Sequence, residues 1–106
     1  MTAFPDPASK PTARRAVTAS VRLRHEAGLH ARPAVKLTKL AKKFSAKILV
    51  AMLPDGPWID AKSIVKVMAT KTPHDALLHF RAEGEDAEAA VLALVALVER
   101  DFPDDG

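Results

Sequence analysis

The chain has 106 residues, of which 48% are hydrophobic, and a formal net charge of +3 at pH 7. This length and composition predict one compact domain with a single modest core. Because the sequence contains no cysteine, a disulfide framework and a thiolate metal site are excluded. The same composition suits a reducing compartment, and we expect a cytoplasmic protein.

The positive charge raises the question of a nucleic-acid partner. The chain has no tyrosine, one tryptophan and four phenylalanines, which argues against the aromatic stacking platform of an RNA-binding sheet. The most apolar stretch, Ala89 to Val98, is far shorter than the ~20 residues of a membrane span. We therefore expect neither a nucleic-acid partner nor a membrane association.

The first residues of the chain are polar and rich in proline. Apart from Met1, Phe4 is the only large apolar side chain among residues 1–16, and so little apolar surface does not offset the cost of ordering. A secretory signal needs an apolar run of about 7–15 residues, which this segment lacks. We predict a disordered N-terminal tail over 1–16, a folded domain over 17–102 and a short acidic tail over 103–106.

The first predicted element is a half-buried strand in which three apolar residues alternate with polar ones: Ala19, Val21 and Leu23. A turn and an amphipathic helix follow, with apolar residues at helical spacing, namely Leu37, Leu40, Ala41 and Phe44. The opposite side of this helix carries three lysines: Lys36, Lys39 and Lys43. The predicted order is thus strand, turn, helix.

A hairpin comes next, because a strand over Ile48 to Leu53 precedes a Pro-Asp-Gly-Pro turn and a short strand at Trp58 and Ile59. Ser63 is placed to cap a short helix, and Leu78, Phe80 and Ala82 alternate with Leu77, His79 and Arg81 as a last strand. The acidic segment from Glu85 to Glu88 opens a final helix through Val98. This order, β-α-β-β-α-β-α, predicts an α+β fold with three helices on one face of a four-stranded, mostly antiparallel sheet.

The stretch AGLHARPA, residues 27 to 34, contains the strongest candidate for chemistry. His30 falls at the expected N-cap of the first helix, where backbone N–H groups of Ala31 and Arg32 and the helix dipole favour an anion. Pro33 suits a first helical turn, and the Arg32 guanidinium matches phosphate oxygens. A neutral imidazole is a competent nucleophile near pH 7. We interpret His30 as a phosphorylation site, and His25, His74 and His79 as ordinary surface histidines.

The motif GLHARPA, followed by DAKSI at residues 60 to 64 and AEGEDAEAAV at 82 to 91, resembles the histidine-containing phosphocarrier (HPr) family of the bacterial phosphoenolpyruvate-dependent phosphotransferase system. The resemblance covers about residues 17 to 101. It implies an open-faced β-sandwich, and a phosphoryl group passing from phospho-enzyme I to His30 and on to a histidine of enzyme IIA. It also implies a carrier, not an enzyme, that is monomeric and needs no metal or cofactor.

The resemblance extends to two further features. Ser63 matches a serine that a dedicated HPr kinase/phosphorylase phosphorylates in some members, at a helix start that family geometry puts beside the His30 surface; the alternative is a plain helix cap. Leu29, Ile64, Val67 and Met68 are apolar candidates for the docking patch that family members present to enzyme I and enzyme IIA. Some of them must belong to the core, and we expect Val67 inside.

Two readings of the whole chain stay open at this point. One is a phosphocarrier, in a sugar-transport or a nitrogen-related regulatory branch, because both share the motif around His30. The other is a non-catalytic regulatory interaction module on the same fold. A pure contact regulator has no need of a nucleophile at a helix start, so His30 with Arg32 favours the carrier.

Overall fold

The computed structural model describes residues 16–24, 26, 28–29 and 31–103. The elements in chain order are β1 (Ala16–Arg22), α1 (Ala31–Ala41), β2 (Lys47–Ala51), β3 (Ile59–Asp60), α2 (Ile64–Ala69), β4 (Leu77–Glu83) and α3 (Ala87–Glu99). The predicted order β-α-β-β-α-β-α is confirmed, and so is the α+β class.

The four strands form one sheet in the order β1-β4-β2-β3, and each neighbouring pair is antiparallel. In this sheet Arg81 of β4 lies opposite Thr18 of β1 on one side and Leu49 of β2 on the other. Helix α3 packs against β1, β4 and β2, while α1 packs against α2 and α3. The helices thus cover one face of the sheet and leave the other open, which is an open-faced β-sandwich.

The alternation predicted for the last strand sets the position of the core. Leu78, Phe80 and Ala82 are buried on β4, and the residues between them are more exposed. Burying side chains of this size removes apolar surface from water and is the main stabilising contribution to such a fold. The core continues into the helices through a set of fully buried residues that includes Leu37, Val67, Leu94 and Val98. The prediction that Val67 lies inside is confirmed.

Several predicted boundaries shift by one to three residues. Strand β2 ends at Ala51 and leaves Met52 and Leu53 exposed in the following turn. Strand β3 begins at Ile59, so Trp58 lies just outside it. Helix α1 ends at Ala41, and Phe44 packs on the core from the loop beyond the helix. Apolar residues thus continue past the ends of these elements, whether buried like Phe44 or exposed like Met52 and Leu53, so their pattern does not mark the boundary.

The ends of the predicted domain also differ in detail. Residue Ala16, assigned to the N-terminal tail, pairs with Glu83 as the first residue of β1, and residues 1–15 lie outside the described part of the chain. At the other end Pro103 is held by a hydrogen bond, since its carbonyl accepts from Lys36 Nζ at 2.8 Å. Among the described residues, no helix has the length and apolar character needed to cross a membrane.

Candidate functional site

The segment that leads into α1 is anchored at Gly28 and Leu29. The Leu29 N–H donates to the carbonyl of Thr72 at 2.8 Å, and the Leu29 side chain is only 3% exposed. Gly28 has a φ of +75°, and a Cβ at this position would collide with the Thr72 carbonyl. Glycine is therefore required here both by the left-handed backbone and by the close approach of the neighbouring loop.

The loop after α2 supplies the other side of this anchor. Thr70 Oγ1 lies 2.7 Å from the Val67 carbonyl, to which it donates, and 2.6 Å from Thr72 Oγ1. Thr72 is buried, with 3% of its surface exposed. A buried polar side chain is stable where its hydrogen bonds are made, so the two threonines fix the carbonyl that holds Leu29. Sequence reasoning missed both residues, because the carbonyl that they fix binds Leu29, which is distant in the sequence.

His30 lies outside the described residues, and its predicted role stays a prediction. Its neighbours in sequence are the anchored Leu29 and Ala31, the first residue of α1. The N–H groups of Ala31 and Arg32 belong to the first turn, for which an α-helix itself supplies no acceptors. That turn contains no acidic residue, so no carboxylate of the turn competes for the positive end of the helix dipole.

Two residues of the first turn of α1 differ in burial. Pro33 is fully buried and fixes the start of α1 against the core. Arg32 is exposed and lines a groove along α1 together with Val35 and Lys36. The guanidinium is thus carried on the first turn of α1, two residues after His30 in the sequence.

Ser63 is the N-cap of α2, as predicted, and its Oγ accepts a hydrogen bond from the Lys66 N–H at 3.4 Å. The adjacent Lys62 Nζ donates to the carbonyl of Phe44, beyond the C-terminal end of α1, at 2.7 Å. Leu29 instead contacts Thr72, beyond the C-terminal end of α2. Because His30 lies outside the described residues, the expectation that Ser63 sits beside the His30 surface stays a prediction. Ser63 lies at the far end of α2, about 9 Å of helix away from the end near Leu29.

The predicted docking residues divide between core and surface. Leu29 is buried in the core, so its assignment to a docking face is wrong. Ile64 is half-buried and packs against the core, while Met68 is 39% exposed. Val65, which sequence reasoning passed over, is 74% exposed. The sequence does offer a sign of this exposed apolar surface, because Val65 is an apolar residue next to Ile64 that lies outside the buried side of α2.

The other histidines differ in position. His74 is exposed in the loop before β4, and His79 is half-buried on β4, on the side facing away from Phe80. His25 lies outside the described residues. The two described histidines are on the surface or the open side of the sheet, as expected.

Comparison with known proteins assigns the chain to a family. The family model described as the PTS HPr component phosphorylation site matches residues 17–100. The chain is 35% identical over 89 residues to the phosphocarrier protein HPr of Treponema pallidum, covering 84% of this chain and 99% of that one. A crystal structure of HPr from Thermoanaerobacter tengcongensis has a TM-score of 0.75 and 36% identity, covering 81% of this chain and 94% of that chain.

A second kind of relative is much longer. The chain is 48% identical over 86 residues to the multiphosphoryl transfer protein of Vibrio cholerae, which covers 80% of this chain. The chain spans about a fifth of that protein, since the match covers 22% of its length. The relatives therefore include free-standing HPr proteins and a larger protein with an HPr-like segment. With the family match over residues 17–100 and the fold it shares with solved HPr structures, the chain belongs to the HPr family.

Proposed function

We propose that this chain is a phosphocarrier that accepts a phosphoryl group on His30 from phospho-enzyme I and passes it to a histidine of enzyme IIA. The observation that carries the proposal is the start of α1 directly after His30, with an acid-free first turn and the exposed Arg32 within it. A phosphoryl group attached at the start of this helix meets a positive helix end and a guanidinium.

The transfer is a direct displacement at phosphorus. A lone pair on a ring nitrogen of neutral His30 attacks the phosphorus of the phosphohistidine on enzyme I. A new nitrogen–phosphorus bond forms while the old one breaks, and the bonding pair returns to the imidazole of enzyme I. The His30 ring gives up its N–H proton and the released imidazole takes up one, so that both rings end neutral. The second step repeats this exchange with a histidine of enzyme IIA as the nucleophile. Catalysis of this kind depends on positioning and charge stabilisation.

Arg32 and the helix end stabilise the negative charge on the phosphoryl oxygens during both steps. Because Ala31 and Arg32 are exposed, the group is bound at a shallow surface and can be reached by either partner. A carrier needs this balance, since a phosphate enclosed by many cations would be accepted readily and released slowly.

Regulation at Ser63 is the second part of the proposal. A kinase that phosphorylates this N-cap would add about −1.5 to −2 charges to the start of α2. Ser63 is half-exposed, and Ile64, Val65 and Met68 of the same helix present partly or fully exposed apolar surface. The added charge would repel an acidic partner that docks at α2.

We further propose that the protein is a cytoplasmic monomer, which enzyme I, enzyme IIA and an HPr kinase/phosphorylase would reach there.

Reconstitution of the phosphoryl transfer from purified proteins tests the function. The full chain is incubated with labelled phosphoenolpyruvate, enzyme I and either a sugar-type or a nitrogen-type enzyme IIA, and the label on enzyme IIA is counted. Label should reach at least one enzyme IIA with the wild-type chain and with His79→Ala, and not with His30→Ala. Failure of the folded wild-type chain to pass label to either enzyme IIA would favour a non-catalytic interaction module instead.

A further inference from the structure

A groove lies beside α1 where this helix meets the end of α3, and the two helices run antiparallel. The loop after α1 contacts the start of α3, because the Ala46 N–H donates to Asp86 Oδ1 at 2.8 Å. At the other end Lys36 Nζ donates to the carbonyl of Pro103, which follows α3, at 2.8 Å. The groove has a volume of about 750 Å³, within the range of about 300–1,000 Å³ that is typical of small-molecule sites.

The floor of the groove is apolar. Leu40 of α1 and Leu97 of α3 are half-buried and pack against the core from this side, and Val35, which is 44% exposed, lines the groove with them. A ligand with an apolar body gains most in such a concave site, because the ligand and the floor are removed from water together. The floor therefore favours a ligand that carries a hydrocarbon portion.

The border of the groove is cationic. Four basic side chains line it, and its described lining residues include no acidic one: Arg32, Lys36, Lys39 and Lys43. Lys36 is held by the carbonyls of Phe102 and Pro103. Lys39 and Lys43 are exposed, lie one turn apart on α1, and form no ion pair within the described part of the chain. Their two ammonium groups can therefore contact the same anion.

We propose that this groove is a binding site for a medium-chain fatty carboxylate. The carboxylate contacts Lys39 and Lys43, and the hydrocarbon chain lies along the apolar floor towards Val35, about 12 Å of helix rise before Lys43. A purely polar anion would leave the floor in contact with water, and a neutral hydrocarbon would not engage the lysines. The floor and the border together select an amphipathic anion. This binding goes beyond the proposed phosphoryl transfer and does not depend on His30.

Titration of the full chain with octanoate, below the concentration at which it forms micelles, tests the site through the amide shifts of Val35, Lys39, Lys43 and Leu97. Butanoate carries the same charge on a shorter chain, and octanol has the same number of carbons without the charge. A fully buried methylene changes affinity about fourfold, so butanoate should bind at least about tenfold more weakly in this open groove. Octanol should bind about three- to tenfold more weakly at low ionic strength. No saturable shift, or equal affinities of octanoate and either analogue, would overturn the proposal.

A pair of double variants tests the cationic border. Lys39→Gln/Lys43→Gln should weaken octanoate binding about three- to tenfold at low ionic strength, the scale of a few exposed ion pairs, and raised salt should narrow the difference. Lys42→Gln/Lys47→Gln removes the same charge from two exposed residues outside the groove lining and should change the affinity less than about twofold. Equal affinities of the two variants would contradict a carboxylate at Lys39 and Lys43.

Two further probes separate the proposed ligand from other anionic partners. Hexaglutamate presents carboxylates without a hydrocarbon chain, and at physiological salt it should displace octanoate poorly, because exposed ion pairs are screened. Vesicles of phosphatidylglycerol present anionic head groups on a surface and should not sediment the chain. Displacement of octanoate by a lower concentration of hexaglutamate would show a site for acidic protein segments. Sedimentation with the vesicles would show a membrane-binding surface, and either result would sink the proposal.

Discussion

The Asp86 carboxylate binds the backbone of Ala46, forty residues away, because Ala46 N–H donates to Asp86 Oδ1 at 2.8 Å. Asp86 Oδ2 accepts from the Ser45 N–H at 2.9 Å. The side chain thereby joins the loop after α1 to the start of α3, where Asp86 is the N-cap residue without capping its own helix. The Ser45 backbone hydrogen bond, with a smaller contribution from that of Ala46, lowers the pKa of Asp86 below its ordinary value of 3.8.

This lowered pKa gives stability a predictable dependence on pH. A carboxyl group whose pKa falls on folding contributes stability above its unfolded pKa and loses it as pH falls through the folded pKa. Asp86→Ala should therefore lower the melting temperature at pH 7, and the difference from wild type should shrink below about pH 4. Glu85→Ala, an exposed neighbour, is the control. Thermal unfolding at several pH values checks this, and a difference that grows in acid would contradict it.

Substitutions at Leu29 and Val65 should have opposite effects, one on stability and the other on phosphoryl transfer. Leu29→Ala empties a buried site and should lower the free energy of unfolding by about 2–5 kcal/mol. Val65 is 74% exposed, so Val65→Ala should change stability by less than about 0.5 kcal/mol while slowing phosphoryl transfer with enzyme I below saturation. Denaturant unfolding and transfer rates measure both. Transfer at the wild-type rate would remove Val65 from the docking surface.

Parts of this fold follow from the spacing of apolar residues along the sequence alone. Leu78, Phe80 and Ala82 are buried as alternation predicts, because neighbouring side chains of a strand point to opposite faces. The prediction that Ser63 caps α2 is also confirmed. It could be made from the sequence because the hydrogen-bond partner, Lys66, is only three residues away. Elements set by near neighbours in the sequence could be predicted.

Contacts across the fold could not be predicted in this way. Leu29 lies within the GLHARPA motif and belongs to no repeating apolar pattern. Its position in the core is held by the hydrogen bond from its N–H to the distant Thr72 carbonyl. Lys36 was placed on the solvent side of α1, yet its ammonium is held by the carbonyls of Phe102 and Pro103. A periodic pattern shows which side of a helix is polar, but it does not show which distant backbone groups that side meets.

Arg32 should matter more for transfer than for folding. It is exposed on the first turn of α1, and an exposed charged side chain contributes about 0–1 kcal/mol to stability. Arg32→Ala should slow acceptance of the phosphoryl group with little change in melting temperature. Arg81→Ala removes the same charge from β4, where Arg81 pairs with Glu83 at 3.2 Å, and should not slow it. An unchanged rate for Arg32→Ala below saturation would remove Arg32 from the site.

Ser63→Asp tests charge at the start of α2. Aspartate is also a good N-cap residue, so the variant should fold with nearly wild-type stability, whereas Ser63→Ala loses the cap without adding charge. Ser63→Asp should slow phosphorylation by enzyme I about two- to fivefold at low ionic strength, the scale of exposed charge pairs, and raised salt should narrow the difference. If Ser63→Asp and Ser63→Ala accept the group at the same rate, Ser63 is a helix cap and nothing more.

The most direct measurement is the intact mass of the full chain after incubation with phosphoenolpyruvate and enzyme I. A nucleophilic His30 at the start of α1 predicts the gain of one phosphoryl group, which is lost in acid and kept in base, as expected of a phosphoramidate. His30→Ala, verified as folded by its thermal transition, should gain none. A phosphoryl group on the folded His30→Ala chain, or an acid-stable group on the wild type, would contradict the assignment of His30.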